Sequence, residues 1–155
     1  MENSIYEKFM SLAIDEAKKA KTHGDWPFGA VVVKEEIVVG KGYAQDKSGG
    51  DVTNHAELVA IQDACRNLQS NNLQDCAIYC TNEPCLMCAS GIFQANIGQV
   101  IIGVSRDDLS QLLRPRKLRI EDLAADAGHK IKIVKGILRD KIMNLFSDIK
   151  KTSSS

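Results

Sequence analysis

A chain of 155 residues is about one ordinary domain, and a globule of that size buries roughly two thirds of its unfolded surface, so it needs no staples to fold. Hydrophobic residues at 44% and charged residues at 26% exclude a disordered, collagen-like or disulfide-scaffold chain. No apolar run approaches the roughly 18 residues that span a bilayer. Met1–Asn3 opens on an acid instead of a basic, apolar signal segment, so the expectation is a soluble, cytoplasmic protein with no membrane partner. Charge balances, 20 basic against 20 acidic, but unevenly: residues 1–100 are net −5 and residues 101–155 net +5. Such asymmetry reads either as a nucleic-acid face or as a solvated basic helix and loop.

In chain order, Ile5, Phe9, Leu12, Ala13, Ala17 and Ala20 recur at helical steps and predict an amphipathic helix over Ile5–Ala20 with Ser4 as N-cap. Ala30–Val33 and Ile37–Val39 are β-branched runs separated by Lys34, Glu35 and Glu36, the pattern of a hairpin. A polar, Gly-rich loop over 45–53 precedes a second helix through Ala56, Val59, Ala60 and Ala64. Cys76–Thr81 reads as a third strand, Leu86–Ala95 as a short helix, and Val100–Val104 as an apolar strand buried on both faces. Residues 105–128 carry no clear period and could close over a substrate. Ile131, Ile133 and Val134 predict a fifth strand, Ile137–Ile149 a last helix, and residues 150–155 a frayed tail. Strands alternating with helices imply a single α/β domain over 1–155: a three-layer α/β/α arrangement around a five-stranded mixed sheet.

Three residues have the types and spacing of a zinc site: His55 in His55-Ala56-Glu57, and Cys85 and Cys88 in Pro84-Cys85-Leu86-Met87-Cys88. A Cys-x-x-Cys in a first helical turn puts both sulfurs on one side, where exposed N–H groups favour the thiolates that zinc needs. Two cysteines and one histidine leave the fourth tetrahedral position open, the arrangement of a catalytic site. Glu57, two residues beyond His55, is placed as a general base beside the metal. Taken alone, the Cys-x-x-Cys could be a redox pair and His55 a simple helix cap; their joint occurrence with Glu57 favours the metal. Five cysteines, an odd number, fit poorly with complete pairing, and Cys65, Cys76 and Cys80 read as small buried core residues. His23 and His129 have no assigned role.

His55-Ala56-Glu57 followed by Pro84-Cys85-Leu86-Met87-Cys88 resembles the signature of the zinc-dependent cytidine deaminase superfamily over roughly residues 4–150. Within it, Trp26-Pro27-Phe28-Gly29-Ala30-Val31-Val32-Val33 and Glu83-Pro84-Cys85 are similar to the branch of bacterial guanine deaminases and tRNA adenosine deaminases, and Phe28 leans to the guanine side. Fungal cytosine deaminases usually have Ser before the Pro-Cys and an acid after the first Cys, where this chain has Glu83 and Leu86. The chain departs from the family pattern at Ala44, where relatives commonly place an Asn against the substrate ring, and at Phe93-Gln94, which only partly match the guanine deaminases' aromatic residues.

The resemblance implies Zn2+ as cofactor and hydrolytic deamination, with Glu57 as base and then acid. It implies a homodimer, as relatives commonly are. The backbone N–H after Pro84 is a candidate for binding substrate. Phe28, Leu86 and Phe93 are candidate walls for a flat ring, core packing being the alternative. A free purine base such as guanine is the expected substrate. The alternatives are cytosine and an adenosine in tRNA, the second drawing on the basic residues Arg114, Arg116, Lys117, Arg119, Lys130, Lys132, Lys135, Arg139 and Lys141. A zinc-stabilised interaction module without activity is disfavoured by the open ligand position and by Glu57.

Overall fold

Residues 2–149 are described by the computed structural model; Met1 and the expected fray over 150–155 lie outside them. The order is α1 (Glu2–Thr22), β1 (Gly29–Lys34), β2 (Ile37–Tyr43), α2 (Ala56–Leu68), β3 (Cys76–Asn82), α3 (Leu86–Gln94), β4 (Gln99–Val104), α4 (Ile120–Ala127), β5 (Lys132–Val134) and α5 (Arg139–Asn144), with a 3-10 turn at Asp107–Leu109. The strands form one sheet in the order β2-β1-β3-β4-β5. The first three run antiparallel, and β3, β4 and β5 run parallel. Glu35 and Glu36, both with positive φ (50° and 59°), close the β1–β2 hairpin as a two-residue loop whose twist suits the strands.

Alternation along the strands supplies two apolar faces. Ala30, Val32, Ile78, Cys80, Val100 and Ile102 meet Ala56, Ala60 and Ala64 of α2 and Ala89 and Ile92 of α3. On the other face Val31, Val33, Tyr79 and Ile101 meet Phe9, Met10 and Ala13 of α1 and Ile142 of α5. This is the three-layer α/β/α arrangement that the element order predicts. Among the described residues no helix is long and apolar enough to cross a membrane.

The structure departs from the sequence reading at element ends. Helix α1 begins at Glu2, so Ser4 lies in its first turn instead of capping it. Helix α5 ends at Asn144 and begins only at Arg139, because Leu138 at its N-cap adopts a left-handed φ of 54°. Helix α4 falls inside the segment that shows no period. Strand β2 runs on to Tyr43 through Gly40 and Gly42, where the β-branched run has already ended.

Those two glycines fix where α2 lies. A Cβ on Gly42 would stand 2.3 Å from the Ala56 carbonyl oxygen and 2.5 Å from the Ala60 nitrogen, and one on Gly40 would stand 2.4 Å from the Ala60 oxygen. Helix α2 therefore rests directly on the β2 backbone, and its first residues inherit that position. Gly42→Ala should force α2 outward and cost about 1–3 kcal/mol in urea unfolding, with weaker zinc retention; unchanged stability and zinc content would refute the close approach.

Candidate metal centre and catalytic cavity

His55 is the N-cap of α2 and Cys85 the N-cap of α3; both have extended backbones and neither side chain caps its own helix. Both are thereby free to point away from their helices. His55 Nδ1 lies 3.5 Å from the Sγ of Cys85 and 3.5 Å from the Sγ of Cys88. All three donor atoms fall within 4.8 Å of one another. Zn–S bonds of about 2.3 Å and Zn–N bonds of about 2.0–2.1 Å at tetrahedral angles separate such ligands by about 3.5–3.8 Å, so the three donors fit a zinc ion. None of the five cysteines is joined in a disulfide.

The hydrogen bond from Cys88, and then that from His55, hold the Cys85 thiol down to about 3. Giving that hydrogen bond, with burial, pushes the Cys88 thiol up. The sulfur pair thus shares one proton, the place a divalent cation takes when it binds. His55 is raised, chiefly by its bond to Cys85. Its Nε2 stands 4.0 Å from Asp46 Oδ2. Asp46 belongs to the loop before α2, which buried Asp25 ties down by accepting the backbone N–H groups of Lys47 and Ser48 at 2.9 and 3.0 Å.

Glu57, in the first turn of α2, is 2% exposed. Burial, and next the Cys85 thiolate, push its carboxyl up to about 7. It has no ion-pair partner among the described residues. Glu57, His55 and Cys85 line a cavity of about 150 Å3. A groove of about 420 Å3 between α1 and the β1–β2 hairpin is larger, but it touches none of the metal donors.

Of the expected ring contacts, Phe28 and Ala44 line the cavity, and Phe28 is held there by stacking on Trp26 with centroids 6.2 Å apart. Pro84, Leu86 and Phe93 are not among its lining residues. Phe93 packs on the His129 ring at 5.1 Å instead. Four lining residues, Asp46, Asn82, Arg106 and Leu113, carry no signal in the sequence, and a fifth, Arg116, is marked there only as one of the basic cluster. The last three come from the aperiodic segment after β4, which supplies part of the cavity wall. His23 stacks on Tyr43, and its Nδ1 bonds to the Lys19 carbonyl at 2.7 Å.

Glu83 explains how that segment is held. Its side chain is 3% exposed, accepts the Arg106 backbone N–H at 2.9 Å and pairs with Arg119 at 3.1 Å. Arg119 also pairs with Asp107 at 2.7 Å. Three further members of the expected basic cluster are ion-paired: Lys132 with Glu2, Lys135 with Glu121, and Arg139 with Asp108 and Asp140.

Adding zinc to metal-free protein in weak buffer should release about one or two protons, and Cys85→Ala should lose stoichiometric metal; full zinc content in that variant would remove Cys85 from the ligands. Glu83→Ala removes a buried acceptor from the Arg106 backbone N–H and one of two partners from Arg119, so stability should fall by about 1–3 kcal/mol and limited proteolysis should cut within 105–119 first. Resistance there equal to the parent would mean that Glu83 does not pin the segment.

The family model for the cytidine and deoxycytidylate deaminase zinc-binding region matches residues 3–104. A tRNA-specific adenosine deaminase of Buchnera aphidicola subsp. Schizaphis graminum is 31% identical over 145 residues, 92% of each chain. Among solved structures, a tRNA:A34 deaminase studied for A-to-I editing at the wobble position superposes with a TM-score of 0.78 at 28% identity, covering 89% of this chain and 98% of that one. The guanine deaminase of Bacillus subtilis superposes with a TM-score of 0.62 at 32% identity, covering 80% of this chain and 70% of that one. With the donor triad and buried Glu57 in place, the chain belongs to the cytidine and deoxycytidylate deaminase zinc-binding family and is a zinc-dependent hydrolytic deaminase.

Proposed function

We propose that the substrate is a free amino-substituted base, with guanine the leading candidate. The cavity carries this reading: about 150 Å3 is below the roughly 300–1,000 Å3 of ordinary ligand sites and suits one flat ring system without an enclosed sugar. Phe28 offers that ring an apolar face, and Leu113 narrows the space from the segment after β4. The pairing of Arg119, Lys132, Lys135 and Arg139 with carboxylates supports the same reading, because a paired cation has less to offer a phosphate backbone.

His55, Cys85 and Cys88 would hold the zinc, which supplies a Lewis acid that makes a water nucleophilic near neutral pH. Glu57 accepts the proton that this water loses and hands it to the ring nitrogen beside the amino-bearing carbon. The water oxygen bonds to that carbon. Glu57 then carries the second proton to the departing nitrogen, the C–N bond breaks, and ammonia leaves a ring carbonyl behind. A carboxyl raised to about 7 suits both halves of this traffic, since it gains and loses a proton at little cost near neutrality.

A second reading, adenosine within tRNA, is favoured by the relative 31% identical over 92% of this chain, whose activity is of that kind. The test is ammonia release by zinc-loaded protein from guanine, cytosine and adenosine, beside inosine formation in tRNA. Ammonia from guanine without RNA is the expected result; inosine in tRNA with inert free bases would overturn it. Glu57→Gln should keep its zinc and lose at least about a hundredfold in rate, and an undiminished rate would exclude Glu57 as the proton carrier.

A further inference from the structure

We propose that Arg106 and Asn82 read a lactam edge of the substrate, a ring carbonyl beside a ring N–H, and so select an amino-oxo ring over a 6-aminopurine. The proposal rests on the free-base reading and narrows its substrate class.

Both residues line the catalytic cavity, on neighbouring stretches of backbone. Asn82 pairs with Val104 across β3 and β4, and the next residue, Glu83, holds the Arg106 backbone N–H at 2.9 Å. Arg106 is half-buried, and its Nε donates to the Arg114 carbonyl at 2.6 Å. That contact fixes the guanidinium plane, while its two Nη groups have no protein acceptor among the described residues. The backbone bond to Glu83 and the Nε bond to Arg114 hold it from two sides, so the free fork is already in place before a ligand arrives.

Asn82 is complementary. Its Oδ1 is buried and receives no hydrogen bond, and its Nδ2 makes only a 3.3 Å contact with the Glu83 carbonyl. A buried acceptor without a donor is rare in folded proteins and calls for a partner that the chain does not supply. The two residues that line this wall thus carry, one, a donor fork without a protein acceptor and, the other, a buried Oδ1 without a donor.

Ring chemistry discriminates between the possible occupants. A guanine presents O6 as an acceptor beside the N1–H donor, which answers a guanidinium and an amide oxygen in turn. Guanidinium recognition of O6 and its neighbour N7 is the commonest specific contact to that base. Adenine reverses the edge, with an N6 amino donor beside an N1 acceptor, and would set donor against donor at Arg106. Ala44, also in the wall, carries no polar group, so it does not compete for this role. Arg116 adds a second cation to the same wall and with it the demand for acceptors.

The test compares guanine with 2,6-diaminopurine, which keeps the 2-amino group but replaces the carbonyl with an amino donor. The parent's kcat/KM ratio should favour guanine, and Arg106→Met and Asn82→Leu should each lower the ratio on the order of 10- to 100-fold, with the larger change in KM. Zinc content and melting temperature, measured on each variant, identify any that fail to fold, and Arg106→Lys, which keeps the charge without the fork, should recover only part of the ratio. Both substrates falling equally in folded Arg106→Met and Asn82→Leu would assign these residues to holding the wall and overturn the proposal. A parent protein that releases ammonia from no free base would overturn the free-base reading and this contact with it, a result distinct from turnover with an unchanged ratio.

Discussion

Two helix N-termini converge on one point, and the chemistry depends on that convergence. His55 and Cys85 sit at the N-caps of α2 and α3, which pack on the same face of the sheet through Ala56, Ala60, Ala64, Ala89 and Ile92. Small side chains and the β2 glycines let the helices lie close to the strands, so the cap residues meet without long side chains having to reach. Exposed N–H groups at both helix starts stabilise anionic sulfur. The sulfur pair retains one proton between them until a cation replaces it. Metal affinity is therefore built from backbone position first and ligand identity second.

The carboxylates near the cavity are divided by what they touch. Glu83 and Glu57 are both buried, yet Glu83 is consumed by Arg119 and the Arg106 backbone, while Glu57 has no ion pair among the described residues and sits beside the Cys85 thiolate. The paired carboxylate is committed to holding the wall, while burial, and next the Cys85 thiolate, raise the unpaired one so that it can carry a proton near neutrality. This difference, and not burial alone, separates the acid that shapes the cavity from the acid that can move protons in it. Asp25 belongs with Glu83: it spends Oδ1 on two backbone N–H groups and so sets the loop that carries Asp46 to the face of His55.

The metal donors and Glu57 are legible in the chain because each pair is local. His55 and Glu57 are two residues apart, Cys85 and Cys88 one helical turn, and a helix start fixes their directions without any distant contact. The fold class is legible for the same reason, from alternation and helical period. The outer wall of the cavity is not. Arg106, Leu113 and Arg116 belong to a segment without a period, held by partners distant in sequence: Glu83 on Arg106 and Arg119, Arg139 on Asp108, and the core around Leu109 and Leu113. Phe93 shows the converse: it lies on the correct helix, but its ring turns into the core against His129. The end of β2 hides in the sequence because glycine, poor in strands by propensity, is there demanded by the helix above it.

Charge also reads differently in space. Nine basic residues over Arg114–Lys141 look like a nucleic-acid face when counted along the chain, but Arg119, Lys132, Lys135 and Arg139 are answered by acids from α1, α4 and the turn after β4. The exposed pairs among them add little stability, since surface salt bridges contribute about 0–1 kcal/mol; their effect is on the field. Each neutralised cation removes one counterion-releasing contact that an RNA backbone would need. Two further cations, Arg106 and Arg116, lie in the cavity wall. Four of the nine cations counted along the chain are thus answered by acids more than ten residues away, a pairing that the sequence count alone does not reveal.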